Sequence, residues 1–518
     1  MYFKQVFDKK LAQYAYIIGC QKNGEAIIID PMRDIDQYQE IASSEGLKIT
    51  HAADTHIHAD YVSGLREFAE KGVKVIASDE GDKDWKYEWL NGSDYNYELV
   101  KNGDSFSIGN IKFDVIHTPG HTPESISFLV TDGALTDEPM GILTGDFVFV
   151  GDVGRPDLLE TAAGEKGNMK PSAQTLYKSV ERFKELPEYL QVWPAHGSGS
   201  ACGKALGAVP ESTVGYETRF SPAFKAAKDE ESFVDFILDG QPEPPLYFAR
   251  MKKLNKVGPS VLGSPIELPK KVSIQEMVDN DITIIDTRAK HDFASSHLEG
   301  SIMASFDKNF NTIAGSFLDG EEEFYLIIDQ DNLQEAINDL ANVGLDKSKG
   351  FATYNDLESW NGEIESTNST DFEGLSKQMN NSNIQVLDVR KATEYSTGHI
   401  PGSINIAHTR LAANLDKIPH DKTIAVHCAS GQRASYSISL LKSKLKSYKH
   451  LENTTLVFKQ LELDKNSNSF IKELRLRDSI EIVEKNLQLD HQLSGRAGRT
   501  GKPATVYFQT YNHDTKMI

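Results

Sequence analysis

Only three cysteines, Cys20, Cys202 and Cys428, occur in 518 residues. An odd number at distant positions excludes a disulfide framework and fits a reducing cytoplasm, where a special cysteine is more often chemical than structural. No apolar run approaches the roughly 20 residues that a membrane-spanning helix needs. The first residues, Met1-Tyr2-Phe3-Lys4-Gln5, lack the basic start and apolar stretch of a signal peptide. Positive charge is also short: 55 Lys and Arg against 76 Asp and Glu leave a formal charge of -21. That balance argues against nucleic acid or an anionic membrane as a partner of the whole molecule. A cytoplasmic protein is expected.

What is there is ordinary globular material, 39% hydrophobic and 25% charged, long enough for about three to four domains. Tyr14 to Cys20 and Ala26 to Asp30 read as a hairpin turned at Asn23-Gly24. Helical periodicity follows in Tyr38 to Glu45 and Tyr61 to Lys71, and again in Ser172 to Leu186 and near Pro222 to Leu238. Between them come short strands at Val73 to Ala77, Ile111 to His117, Ile126 to Val130, Ile142 to Thr144 and Leu190 to Trp193. Residues 256–269, rich in Pro, Gly and Ser, read as a linker.

Four clusters of metal-binding residue types stand where strands give way to loops, the usual place for ligands on a rigid scaffold. They are Thr55-His56-Ile57-His58-Ala59-Asp60-Tyr61, Pro119-Gly120-His121-Thr122, Thr144-Gly145-Asp146 and Pro194-Ala195-His196-Gly197. His56, His121 and Asp146 make a two-His-one-carboxylate set that suits non-haem Fe(II). Zn²⁺ acting on a water is the alternative. His58, Asp60 and His196 are expected close by, as groups supporting the ligands or as remains of a second metal site. Arg155, in Gly154-Arg155-Pro156-Asp157, reads either as a cationic clamp for an anionic thiol substrate or as an arginine tied to a nearby carboxylate.

Beyond residue 269 two segments repeat. Ile282-Thr283-Ile284-Ile285-Asp286-Thr287-Arg288 pairs with Ile384-Gln385-Val386-Leu387-Asp388-Val389-Arg390, and His297-Leu298-Glu299-Gly300-Ser301-Ile302 with His399-Ile400-Pro401-Gly402-Ser403-Ile404. Each unit reads as a parallel α/β sheet, with a boundary in the polar stretch Asn361 to Thr370. In the second, Cys428 lies between the apolar strand Thr423 to Val426 and a helical run from Tyr436. There, free N–H groups and the helix N-terminus favour a thiolate able to carry sulfane sulfur. Arg433 would hold an anionic acceptor such as sulfite. The matching loop of the first unit falls near Ile328-Asp329-Gln330-Asp331, with no cysteine. Cys202 is either activated by its Gly-rich setting and Lys204 or a packed small residue; Cys20 reads as a small hydrophobe.

The order of the His and Asp motifs over about residues 1–250 resembles the metallo-β-lactamase superfamily, in the branch of glyoxalase II hydrolases and persulfide dioxygenases. Two-metal members carry His-x-His-x-Asp-His, and Tyr61 stands at the last position. That departure favours one metal, hence a dioxygenase. Residues 366–450 resemble rhodanese, with Cys428 to Arg433 as its active-site loop. The combination is similar to metallo-β-lactamase/tandem-rhodanese fusions of bacterial sulfide detoxification. The resemblance implies an αββα domain (1–255), a linker (256–269), a rhodanese-like domain without its cysteine (270–365) and a rhodanese domain with Cys428 (366–452).

It further implies one Fe(II) per metallo-β-lactamase domain and oxidation of a small thiol persulfide by O₂ to sulfite. Cys428, Arg433 and Cys202 would then serve sulfur transfer to sulfite, giving thiosulfate. A Zn-dependent thioester hydrolase with an attached sulfurtransferase is the rival. A homo-oligomer is expected. From residue 453 the tail departs from the pattern. Gln492 to Pro503 is similar to an arginine-bearing helicase motif, but no G-x-x-x-x-G-K-[S/T] accompanies it.

Overall fold

The computed structural model describes residues 1–158, 167–378, 383–445 and 455–457. Nearly all of the tail expected from residue 453, including its helicase-like run, lies outside the described residues. Two six-stranded sheets come first. One holds β1 (Tyr2–Asp8), β2 (Gln13–Cys20), β3 (Glu25–Ile29), β4 (Lys48–Ala53), β5 (Lys74–Ser78) and β6 (Tyr97–Val100), side by side in chain order. The other holds β7 (Ser105–Ile108), β8 (Ile111–His117), β9 (Ile126–Asp132), β10 (Gly141–Gly145), β11 (Gln191–Pro194) and β12 (Ser212–Thr213), likewise in order.

Strand alternation explains how the sheets stack. Along β2, Tyr14, Tyr16, Ile18 and Cys20 enter the core shared with Phe113, Phe128 and Trp193 of the second sheet. Ala15 and Ile17 face the other way, onto a core with Tyr38 and Phe68. Successive side chains of a strand point to opposite faces, so a sheet covered on both sides buries every residue of its central strands. All eight residues of β2 are buried. The expected hairpin is β2–β3, with Gly24 at φ +72° in its turn.

The expected helix over residues 61–71 is only Leu65–Glu70. Residues 58–63 are instead held as a loop by hydrogen bonds to their main chain. Asn255, on the helix Phe248–Val257, donates to the carbonyls of His58 (2.8 Å) and Tyr61 (2.7 Å) and accepts from Ser63 N–H (2.8 Å). Val62 N–H donates to the Asn342 carbonyl at 2.7 Å. These partners satisfy groups that a helix would have used internally.

β13 (Thr283–Asp286), β14 (Ile302–Met303), β15 (Phe324–Ile327) and β16 (Ser348–Ala352) form an all-parallel sheet in the order β14-β13-β15-β16. Residues 1–367 fall in one compact unit, and the next sheet belongs to a second. The linker expected at 256–269 is therefore not a free tether. Arg33 donates to the Ser260 carbonyl, and Glu67 accepts from Leu262 N–H and Gly263 N–H.

The second unit contains β17 (Asn368–Thr370), β18 (Ile384–Asp388), β19 (Ile404–Asn405), β20 (Thr423–His427) and β21 (Thr455–Val457), parallel in the order β17-β21-β20-β18-β19. β21 lies just past the boundary expected at residue 452. The two parallel sheets match in register: Asp286 pairs with Ile327 and Asp388 with His427. Ile328 of the first thus stands where Cys428 stands in the second.

Candidate metal centre and sulfur-transfer loop

His56 follows β4, His121 lies between β8 and β9, Asp146 follows β10 and His196 follows β11, so all four meet at one edge of the sandwich. The edge is stitched by main-chain bonds: Ile126 N–H to the Thr55 carbonyl (2.8 Å), Ala195 N–H to the Gly145 carbonyl (3.0 Å) and Tyr14 N–H to the Ala195 carbonyl (2.7 Å).

His56 Nε2 lies 3.7 Å and His121 Nε2 3.4 Å from Asp146 Oδ2. All three side chains are buried, and none of these three atoms has a hydrogen-bond partner among the described residues. Three buried acceptors aimed at one point are costly unless a cation sits among them. The other ring nitrogens are occupied: His56 Nδ1 by Thr55 Oγ1 at 3.0 Å and His121 Nδ1, which donates to the Arg155 carbonyl, at 3.0 Å. Burial, with neighbouring histidines, pushes the pKa of His56 well down, and burial lowers that of His121. Both rings are then neutral, with the free Nε2 lone pair a metal requires. The donor set fits one Fe(II) or Zn²⁺.

The remaining residues of the opening motif turn elsewhere. His58 Nε2 meets Asp30 Oδ1 at 3.2 Å and the Tyr61 hydroxyl at 3.0 Å. Burial opposes its charge, but the Asp30 hydrogen bond and the charges of Asp30, Asp54 and Asp60 raise its pKa to about 9. Tyr61, fully buried beside Leu11 and Met32, donates to the Asp30 carbonyl at 3.1 Å. His196 is bound at both nitrogens, Nδ1 to Asp146 Oδ1 and Nε2 to Asp60 Oδ2, each at 2.7 Å. Against burial, these carboxylates raise its pKa to about 10.

Arg155 is buried, and each of its three guanidinium nitrogens donates one hydrogen bond. Nε and Nη2 fork onto Asp157 at 2.7 and 2.6 Å, and Nη1 donates to the Ala201 carbonyl at 3.2 Å. Of the two readings, the arginine tied to a carboxylate describes its geometry. Cys202 lies with Asp60 and His196, their ligand atoms within 4.8 Å of one another. It is not exposed, and Lys204 does not activate it: the ammonium turns to the Phe236 and Asp239 carbonyls. Burial, then the Asp60 and Asp146 charges, pushes the Cys202 thiol well up.

In the second unit Cys428 follows β20 directly and is buried. Its Sγ accepts from Gly431 N–H at 3.2 Å and Ala434 N–H at 3.4 Å, as the strand-loop-helix order predicts. Arg433 reaches the same loop, but its Nη1 and Nη2 fork onto Glu394 at 2.6 and 2.9 Å. Asp30, Thr55, Asn255 and Glu394 were not legible as site residues. Only Asp30 carries a signal, an acid closing the apolar run Ala26-Ile27-Ile28-Ile29.

Residues 9–196 match the metallo-beta-lactamase superfamily model and residues 371–458 the rhodanese-like domain model. A solved metallo-beta-lactamase structure from Staphylococcus aureus is 43% identical; it covers 68% of this chain and 99% of its own, with a TM-score of 0.61. The mitochondrial persulfide dioxygenase ETHE1 of Bos taurus is 29% identical over 198 residues, 37% of this chain and 67% of that protein. A hydroxyacylglutathione hydrolase of Erythrobacter litoralis is also 29% identical, over 38% of this chain and 69% of its own. The chain belongs to the metallo-beta-lactamase superfamily and carries a rhodanese-like domain after that fold.

Proposed function

We propose that the chain oxidises a low-molecular-weight thiol persulfide with O₂ to sulfite and then passes sulfane sulfur to that sulfite at Cys428, releasing thiosulfate. The observation that carries the first stage is the buried, unpartnered trio of His56 Nε2, His121 Nε2 and Asp146 Oδ2. Fe(II) held there would supply the electron transfer that lets O₂ react with a thiol sulfur. The Arg155 carbonyl fixes the His121 ring, and the Arg155 side chain joins the loops of Asp157 and Ala201. Cys202 lies beside Asp60 and His196, next to this trio. The net change is RSSH + O₂ + H₂O to RSH, SO₃²⁻ and two protons.

In the second stage the Cys428 thiolate attacks the outer sulfur of another persulfide and releases the carrier thiolate. Sulfite then attacks the Cys428 persulfide, forming S₂O₃²⁻ and restoring the cysteine. The Gly431 and Ala434 N–H groups support the thiolate as leaving group. With one hydrogen of each Nη on Glu394, Arg433 keeps three N–H donors with which to meet an anionic acceptor.

Residues 270–365 read as a second rhodanese-like copy. Arg288 forks onto Asp286 and reaches the Ser296 carbonyl, while Arg390 forks onto Asp388 and reaches the Gly398 carbonyl, in both cases with bonds of 2.6 and 2.7 Å from Nη2. With Ile328 at the cysteine position, this copy forms no persulfide. The thioester-hydrolase rival draws on the likeness to hydroxyacylglutathione hydrolase, but needs a second metal, for which Tyr61 replaces the motif's last histidine and Asp60, His196 and Cys202 are the grouped donors.

Product analysis tests the division of labour. With a defined persulfide and O₂, Cys428→Ser should accumulate sulfite and make no thiosulfate. Thiosulfate formed at the parent rate would remove Cys428 from the reaction.

A further inference from the structure

His56 and His58 are chemically alike and two residues apart, yet only His56 turns Nε2 toward His121 and Asp146. The difference originates at Asp30, which follows β3 in the left-handed region (φ +53°) and is buried. Its Oδ1 accepts from Thr55 N–H at 2.6 Å, and its Oδ2 accepts from the Thr55 hydroxyl at 3.0 Å. A hydroxyl has one hydrogen. Once that hydrogen goes to Asp30, the Thr55 oxygen can only accept from His56 Nδ1, 3.0 Å away. The ring proton therefore sits on Nδ1 and the Nε2 lone pair is free. Space for this hydroxyl exists because residue 145 is glycine, where a β-carbon would lie 2.3 Å from Thr55 Oγ1.

The same carboxylate draws His58 away. Tyr61 gives its hydroxyl hydrogen to the Asp30 carbonyl, so the phenol oxygen and Asp30 Oδ1 both accept from His58 Nε2–H. We propose that Asp30 is a positioning residue that assigns the two histidines opposite roles, acting on His56 through the Thr55 hydroxyl and on His58 directly. The assignment rests on the reading of His56, His121 and Asp146 as the metal ligands.

Asp30→Asn separates this from a merely structural role. The Thr55 N–H requires the amide oxygen at one end, which turns the NH₂ toward Thr55 Oγ1. The hydroxyl must then give its hydrogen to His56 Nδ1, and the ring proton moves to Nε2, where it blocks ligation. Thr55→Val breaks the relay at nearly constant shape, and Thr55→Ser keeps it.

The test titrates metal-free, full-length variants with Co(II) and with anaerobic Fe(II) against a competing chelator, recording the visible Co(II) spectrum. Thr55→Ser should bind one equivalent like the parent. Thr55→Val should bind roughly 10–100-fold more weakly, and Asp30→Asn at least as weakly, with an altered Co(II) spectrum and parent-like circular dichroism without metal. Parent-like affinity and spectrum in both Asp30→Asn and Thr55→Val would overturn the assignment. Should Asp30→Asn fail to fold, the Thr55 pair decides, since equal affinities of the Val and Ser variants would overturn it. A parent that binds no metal, or an Asp146→Ala variant that binds as tightly as the parent, overturns instead the ligand reading beneath it, and the assignment with it.

Discussion

A β-carbon added at Gly154 would lie 1.8 Å from the Asp146 carbonyl oxygen and 3.2 Å from the His121 β-carbon. Backbone and two of the proposed ligands meet there, and none is the flexible end of a side chain. Gly154→Ala should destabilise by on the order of 3 kcal/mol, the upper end of overpacking, and the purified protein should carry less metal. Parent-like melting temperature and metal content would contradict the geometry. At this scale the trio proposed as ligands was legible, because His56, His121 and Asp146 each follow a strand with a recognisable neighbour. What orients them was not. Asp30 and Thr55 lie 25 residues apart, and only the pairing of β3 with β4 joins their ends. Arg155 shows the opposite case: its sequence context left two readings open, and its fork onto Asp157 fits the one that ties it to a carboxylate.

Elements carry the next level of support. The loop 58–63 departs from the helical pattern of its sequence because Asn255 holds its main chain at three points. Asn255 is buried, so Asn255→Ala would strip buried polar groups of partners at a cost of roughly 2–4 kcal/mol. We expect a lowered unfolding midpoint in urea, and recovery of part of the loss when the metal site is saturated, since a ligand bound only to the native state stabilises it. An unchanged midpoint would mean that the loop holds itself. Alternation made β8 legible, because it buries residues with period two, whereas β2, β3 and β9 were legible as largely apolar runs buried on both faces. β1, β6 and β7 were not: their burial is partial and their sequences mix polar with apolar residues, as in Tyr2–Asp8.

For the whole molecule, the repeat was legible because Asp-x-Arg and the His-x-x-Gly-Ser-Ile segment recur in both units with the same hydrogen-bond geometry. The packing of the cysteine-free sheet within the first compact unit was not, since the Pro- and Gly-bearing stretch before it reads as a tether. Its contacts form only in three dimensions: Arg33 donates to the Ala341 carbonyl at 3.1 Å and to Asp346 at 2.7 Å. Among the described residues no helix is long and apolar enough to cross a membrane. Joining the two proposed chemistries in one chain would raise the effective concentration of sulfite at its acceptor. A Cys428→Ser chain mixed with a His56→Ala chain should then yield thiosulfate more slowly than the intact protein at equal site concentration; equal rates would show that sulfite passes through bulk solution without advantage.

The most direct test of the central claim is metal content measured together with oxygen uptake. Metal-free protein is loaded separately with Fe(II) and Zn²⁺ and given a thiol persulfide, with a thioester such as S-lactoylglutathione as the alternative substrate. The account predicts one iron per chain, O₂ consumption with sulfite or thiosulfate formed only in the iron-loaded protein, and no thioester hydrolysis. Two zinc ions per chain, with rapid thioester hydrolysis and no oxygen uptake by the iron form, would contradict it.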